Sequence, residues 1–271
     1  AVYGHSVGEV AAAYVSGAIS LVDAVSIVAK RSYHQDRLAG QGKMAALQMG
    51  ADDARALFAR LGLDDLTVAA VNAKGSVTVS GPSDQILALK DAFKANKVAG
   101  QVLDINYPFH HPSIEIAKDA FLEDMGQIAL RPSQIPFIST VTGGVLEGDK
   151  LDPAYWWSNV REPVEFHRGT QAAIDMGCTL FVEIGPRPIL LAYVRDTIKE
   201  RSIAAGAIAS LTREEKARQP SETQDPVSQT YARILANGGA FDRRKAFGER
   251  NPRISLPPVA FENVDLRHEF T

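Results

Sequence analysis

The residues best suited to covalent chemistry stand at the start of the chain, in Gly4-His5-Ser6-Val7-Gly8-Glu9. Glycines two positions before and after a serine, following a scrap of strand (Ala1-Val2-Tyr3), fit a sharp strand-to-helix turn that lifts the hydroxyl to a helix N-terminus. The backbone N–H of the next residue, Val7, is then placed to act as an oxyanion donor. Gly-x-Ser-x-Gly also occurs in plain loops, but an amphipathic run over 7–18 follows here, as the turn requires. Ser6 is the expected nucleophile.

A serine hydroxyl needs a base within hydrogen-bond reach. The candidates are His110 and His111 in Asn106-Tyr-Pro-Phe-His-His-Pro112, a loop stiffened by Pro108 and Pro112. A helix capped by Ser113 is expected next, and its N-terminus favours the neutral imidazole that a base requires. Spacing alone does not choose between the two histidines. The third chemical residue is Arg31. Ser20-Leu-Val-Asp23 reads as a capping box opening a helix over 21–38 that stops at Gly40. Ala24, Val28 and Arg31 share one face of it, with Ile27 beside them. A guanidinium on an apolar stripe needs a partner, either a protein carboxylate or an anionic ligand.

These residues must be held by a larger frame. A strand-to-helix elbow needs a central strand and neighbours before it, yet only three residues precede Gly4, so an N-terminal part of the domain is expected to be missing from this sequence. Residues 43–106 change rhythm: strand 44–49, helix 52–61, strands 66–72 and 76–80, helix 83–96 and strand 100–105. That β-α-β-β-α-β order is the ferredoxin-like signature. Strand-like and helical stretches then alternate at 137–142, 153–159, 164–176, 179–184 and 188–199. Residues 214–225 are rich in charge, Gln, Ser and Pro and read as a solvated loop. The prolines of 251–261 impose an extended course.

Composition narrows the function classes. The chain has 271 residues, 45% hydrophobic and 23% charged, enough for a large core of ordinary globular type. A net charge of −3 argues against bulk attraction to nucleic acid or membrane. No apolar run approaches the ~20 residues that span a bilayer. The single Cys178 excludes an internal disulfide framework, fits a reducing, cytoplasmic setting, and reads as a buried structural thiol. The six histidines show no metal-ligand spacing, and no metal is expected.

Four motifs in order, GHSVGE, Arg31 placed 25 residues after Ser6, Tyr107-Pro-Phe-His110 and Phe181-Val-Glu-Ile-Gly-Pro186, resemble the acyltransferase domain of a modular, multifunctional polyketide synthase. That family is kin to the malonyl-CoA:acyl-carrier-protein transacylases. The resemblance covers about residues 4–199, and 256–261 resembles the Pro-rich linker that follows such domains. The expected fold is accordingly α/β. Residues 1–42 and 107–211 would form an α/β-hydrolase-like large subdomain with a parallel central sheet. Residues 43–106 would be the inserted ferredoxin-like small subdomain, and 212–271 a linker after the acyltransferase.

The resemblance implies that Ser6 is acylated by a coenzyme A thioester and that His110 is general base and acid. It implies that Arg31 grips the free carboxylate of a dicarboxylic acyl group, and that the Glu165 carbonyl orients His110. It implies no permanently bound cofactor. The acceptor would be the phosphopantetheine thiol of an acyl carrier protein, and a ketosynthase domain would share the polypeptide, in antibiotic-type biosynthesis. Tyr107 and Phe109 fall in the tetrapeptide that tracks the extender unit. Phe109 and Val7 fit a malonyl extender, whereas Tyr107 and Pro108 depart from both the malonyl and the methylmalonyl pattern. Methylmalonyl or another branched extender, a thioesterase-like hydrolase using His268, and a non-catalytic scaffold fragment are the rival readings.

Overall fold

The computed structural model describes residues 1–211 and 225–239. Val2 makes a single parallel bridge to Phe137, and the chain then turns into α1 (Gly8–Val15). Helix α2 (Leu21–Asp36) opens on the expected cap: Ser20 Oγ accepts the Asp23 N–H at 3.1 Å and donates to the Asp23 carboxylate at 2.6 Å. Its buried residues are Ala24, Ile27, Arg31, His34 and Gln35. Val28, expected on that stripe, is 37% exposed. The stripe is centred on Ile27, and the next residue along a helix stands about 100° round from it.

The middle of the chain forms β1 (Gly42–Leu47), α3 (Ala51–Leu61), β2 (Thr67–Ala73), β3 (Ser76–Pro82), α4 (Ser83–Ala95) and β4 (Gly100–Val102). The elements follow along the chain in the β-α-β-β-α-β order read from the sequence, and the four strands make an antiparallel sheet in the spatial order β2-β3-β1-β4. Leu47, Val77 and Val79 pack under Leu57, Phe58, Ile86 and Leu89 of the two helices, which is why both helices lie on one face. Edge strand β2 shifts register between Val68 and Ala70 and again between Val71 and Ala73. There its free edge takes Val164, through Val71 N to Val164 O and Val164 N to Ala69 O, both 2.9 Å. That bridge closes an otherwise exposed edge and docks the sheet beside the site described below.

The remaining elements are α5 (Lys118–Met125), β5 (Ile138–Ser139), β6 (Gly144–Val145), α6 (Pro153–Arg161), α7 (Phe166–Asp175), β7 (Leu180–Glu183), α8 (Leu191–Glu200), β8 (Gly206–Ala209) and α9 (Pro226–Ala236). Trp156, Phe121, Phe137 and Ile27 centre a core among α1, α2, α5 and α6. A further core lies between α7, α8 and β7, with the half-buried Cys178 against it.

The expected parallel central sheet is present only in pieces among the described residues: the Val2–Phe137 bridge and the parallel pair β7–β8. The stretch 137–142 cannot run on as a strand. Ser139 Oγ accepts the N–H groups of Val141 and Thr142, and Gly143 at φ +75° folds the chain back into β6. The 212–271 stretch, expected to be a linker, carries α9, whose Thr230 hydroxyl donates to Ser210 O at 2.9 Å. Of the 214–225 loop only Asp225 is described, capping α9. The 251–261 stretch lies outside the described residues.

Candidate active site

Ser6 sits at φ +53°, a left-handed backbone that a serine adopts only when its surroundings impose it. The glycine before it supplies part of that constraint. A Cβ on Gly4 would lie 2.2 Å from Glu9 N and Gly8 C, so the turn closes only with glycine there. A Cβ on Gly8 would meet nothing within 4 Å, so the second glycine of the motif answers no steric need. Val7 precedes the first turn of α1, and among the described residues its N–H donates to no protein acceptor, as is usual for the first amides of a helix.

His110 reaches Ser6 across the chain: Ser6 Oγ lies 2.8 Å from His110 Nε2. It too has a left-handed backbone, at φ +59°. Its Nδ1 lies 2.8 Å from the Glu162 carbonyl oxygen, which can only accept, so Nδ1 carries the proton and Nε2 presents a lone pair to the hydroxyl. The orienting carbonyl is therefore that of Glu162 and not that of Glu165. Glu162 caps the C-terminus of α6 in an extended conformation, where helix carbonyls lack intrahelical partners. The Glu165 carbonyl is committed to Gly169 N at 2.9 Å, in the first turn of α7. Burial first, and then the Arg31 charge, lower the His110 pKa to about 3, so the imidazole is neutral at ordinary pH.

Arg31 projects from α2 to the same point. Its Nη2 donates to Ser6 Oγ at 2.6 Å, its Nη1 to Asn159 Oδ1, and its Nε to Gln35 Oε1 at 3.4 Å. The side chain is 4% exposed, and among the described residues no carboxylate lies within salt-bridge distance of it. Burial lowers its pKa to about 10, opposed by the charge of Glu9. The guanidinium is held by two neutral amides and a hydroxyl, so its charge is buried without a carboxylate in direct contact among the described residues.

Tyr107 and Phe109 lie beside His110 in the chain. The Tyr107 and Phe109 rings stack with centroids 5.0 Å apart and planes 5° from parallel, and the Tyr107 hydroxyl donates to Asp36 at 2.9 Å. Pro108 between them is buried against Gly42, where a Cβ would lie 2.6 Å from the proline ring. The second loop histidine has a separate task. Its Nδ1 accepts the Ser113 N–H at 3.1 Å and its Nε2 donates to the Asp65 carbonyl at 2.7 Å. His111, not Ser113, caps the 3-10 turn Pro112–Ala117 that leads into α5.

The sequence reading brought forward Ser6, His110 and Arg31, and the fold gathers all three. It missed Glu9 and Asn159. Glu9 carried a signal, a lone carboxylate on a helix face otherwise buried through Val10, Ala12 and Ala13. Asn159 carried none, standing 128 positions from Arg31. The Phe181-Val-Glu-Ile-Gly-Pro186 motif pairs along β8 through Phe181, Val182 and Glu183, its Gly185 N–H donates to Ser210 Oγ at 3.1 Å, and the Glu183 carboxylate accepts the N–H groups of Ile189 and Leu190 just ahead of α8. His268 lies outside the described residues, as does any part it could play. Among the described residues no group of His, Cys, Asp or Glu could hold a metal ion, and no helix is long and apolar enough to cross a membrane.

The family profile described as acyl transferase domain matches residues 1–231. The chain is 38% identical over 265 residues to polyketide synthase GfsB of Streptomyces halstedii, covering 97% of this chain and 5% of that protein. It is 38% identical over 208 residues to erythronolide synthase EryA2 of Saccharopolyspora erythraea, covering 77% of this chain and 6% of that one. The chain thus spans a small fraction of the curated relatives it matches. Among solved structures it resembles the acyltransferase domain from module 8 of the salinomycin polyketide synthase, at a TM-score of 0.81 and 32% identity, over 88% of this chain and 55% of that one.

Proposed function

This chain belongs to the acyl transferase domain family of modular polyketide synthases, and from that premise we propose that it loads a malonyl-type extender from coenzyme A onto the phosphopantetheine thiol of an acyl carrier protein. It is an acyltransferase with an α/β fold. The convergence on one hydroxyl carries the finer reading: Ser6 Oγ has the neutral His110 Nε2 at 2.8 Å and the Arg31 Nη2 at 2.6 Å. A plain serine hydrolase needs the first contact and has no use for the second. The antiparallel sheet with its two helices supports reading 43–106 as a ferredoxin-like insert in an α/β-hydrolase-like large subdomain.

The chemistry proceeds in two half-reactions. His110 Nε2 takes the Ser6 proton as Oγ attacks the thioester carbonyl, and the Val7 N–H faces the oxyanion that forms. Collapse breaks the C–S bond, the proton on Nε2 passes to the departing coenzyme A thiolate, and an acyl-serine remains. The carrier protein's thiol, deprotonated by the same nitrogen, attacks the ester and restores Ser6. The Glu162 carbonyl keeps Nδ1 protonated throughout and stabilises the transient imidazolium.

Arg31 links substrate choice to this cycle. Its charge opposes protonation of His110. A bound carboxylate neutralises that charge, so a dicarboxylic acyl group makes the base a better proton acceptor than a monocarboxylic one does. Phe109, fixed by its stack on Tyr107, and Val7 support malonyl over a branched extender, because a C2 substituent would meet a braced ring. The acyl carrier protein and a ketosynthase of the same polypeptide are the proposed partners. The test is Ser6→Ala incubated with malonyl-CoA, read by intact-protein mass spectrometry. The wild type should gain a malonyl adduct and the variant none; a persisting adduct on the variant would remove Ser6 from the role.

A further inference from the structure

The Arg31 guanidinium is not positioned by its own helix alone. A chain of hydrogen bonds runs from it into the core, Arg31 Nη1 to Asn159 Oδ1 and Asn159 Nδ2 to Glu9 Oε2. Guanidinium can only donate and carboxylate only accept, so the amide between them has one permitted orientation. Glu9 itself is wholly buried, and its other oxygen accepts the Thr140 N–H and the Tyr155 hydroxyl, both at 2.7 Å. Tyr155 and Asn159 lie one turn apart on α6 and reach Glu9 from the same face. A fully buried carboxylate one relay away from a buried cation is costly unless both ends are used.

We propose that Glu9, acting through the Asn159 carboxamide, is the positioning residue that aims Arg31 at the free carboxylate and so sets the preference for dicarboxylic over monocarboxylic acyl groups. This rests on the reading of Arg31 given above. The ionised form of Glu9 is the working form. A proton on Oε2 would point at the Asn159 amide N–H, turn that amide over, and present its donors to the donors of Arg31. The titratable groups facing Glu9 are Tyr155 from α6 and Arg31 from α2, and both keep their protons well above neutral pH. Burial raises the Glu9 pKa to about 7. The dicarboxylic preference should therefore hold above that pH and fade as pH falls through it, while His110, with its pKa near 3, stays neutral across the same window.

Initial rates of Ser6 acylation by malonyl- and methylmalonyl-CoA, against acetyl- and propionyl-CoA, test this on the wild type, Glu9→Gln and Tyr155→Phe. Glu9→Gln puts an N–H donor against the Asn159 amide, and the dicarboxylic-to-monocarboxylic ratio should fall about 10- to 100-fold, the range for a lost charged hydrogen-bond partner. Tyr155→Phe keeps the carboxylate but removes a hydrogen bond that lowers its pKa, so the midpoint of the pH profile of that ratio should move upward. A wild type without dicarboxylic preference would overturn the reading of Arg31. A wild type with it, whose Glu9→Gln variant keeps the ratio or loses both substrate classes equally, would overturn the role of Glu9. Should Glu9→Gln not fold, an unmoved profile in Tyr155→Phe would overturn it as well.

Discussion

Two ionisable groups buried within one network, Glu9 and Arg31, frame the proposed nucleophile Ser6 and the proposed base His110, which are themselves neutral. The arrangement makes a prediction for Arg31→Ala. Burial still holds the His110 pKa below its ordinary 6.5, but the opposing cation is gone, so that pKa should rise above 3. The acid-side half-point for Ser6 modification by a neutral sulfonyl fluoride should move up with it. Malonyl loading should fall by about 3–5 kcal/mol, the cost of leaving a buried charge unpartnered, so the malonyl-to-acetyl ratio collapses. If malonyl and acetyl loading fall equally, Arg31 is structural. An unmoved half-point would mean the guanidinium does not act on the base.

The elbow and α1 show which parts of a motif the backbone demands. Gly4 packs against the peptide of Gly8 and Glu9, whereas Gly8 faces open space at the first position of α1. Gly4→Ala should destabilise the protein by about 3 kcal/mol or more, at the upper end of overpacking costs, because backbone and not a flexible side chain stands in the way. Gly8→Ala should be neutral or stabilising by up to about 1 kcal/mol, the helix-propensity difference. Urea unfolding of both variants measures this, and comparable losses in the two would refute the steric account. The strained φ values of Ser6 and His110 belong to the same scale. Each is held by what flanks it: Gly4 and α1 for the serine, buried Pro108 and the His111 cap for the histidine.

Across the whole molecule, the antiparallel sheet is joined to the site by contacts of different kinds: the Ala70–Val164 bridge, His5 Nε2 against Asn72 Oδ1 at 2.9 Å, and His111 Nε2 against Asp65 O. The last ties the loop that carries His110 to the turn that leads into β2. His111→Ala removes both the helix cap and this tie, and should cost about 1–2 kcal/mol, the usual loss of a cap. His111→Ser keeps a capping oxygen but not the tie, so it should recover part of the stability. Amide exchange of the 107–113 loop should quicken in both variants. Protection unchanged in His111→Ala would show that the loop is held by Pro108 and the Tyr107–Phe109 stack alone.

The sequence by itself determined the local features: the cap at Ser20, the β-α-β-β-α-β order of the middle third, the strand-to-helix turn around Ser6, and Arg31 on an apolar face. Each follows from residues within a few positions of one another, where side-chain period and backbone freedom act directly. Only the tertiary structure decided the rest. Which carbonyl holds His110 depended on where α6 ends and α7 begins, and Glu162 rather than Glu165 had an oxygen free. Whether 137–142 ran on as strand depended on Ser139 bonding its own loop. Arg31 is held not by a protein carboxylate but by Ser6, Gln35 and Asn159, the last 128 residues away. Such pairings are selected by desolvation and packing among distant segments, and those are properties of the assembled core that no local pattern carries.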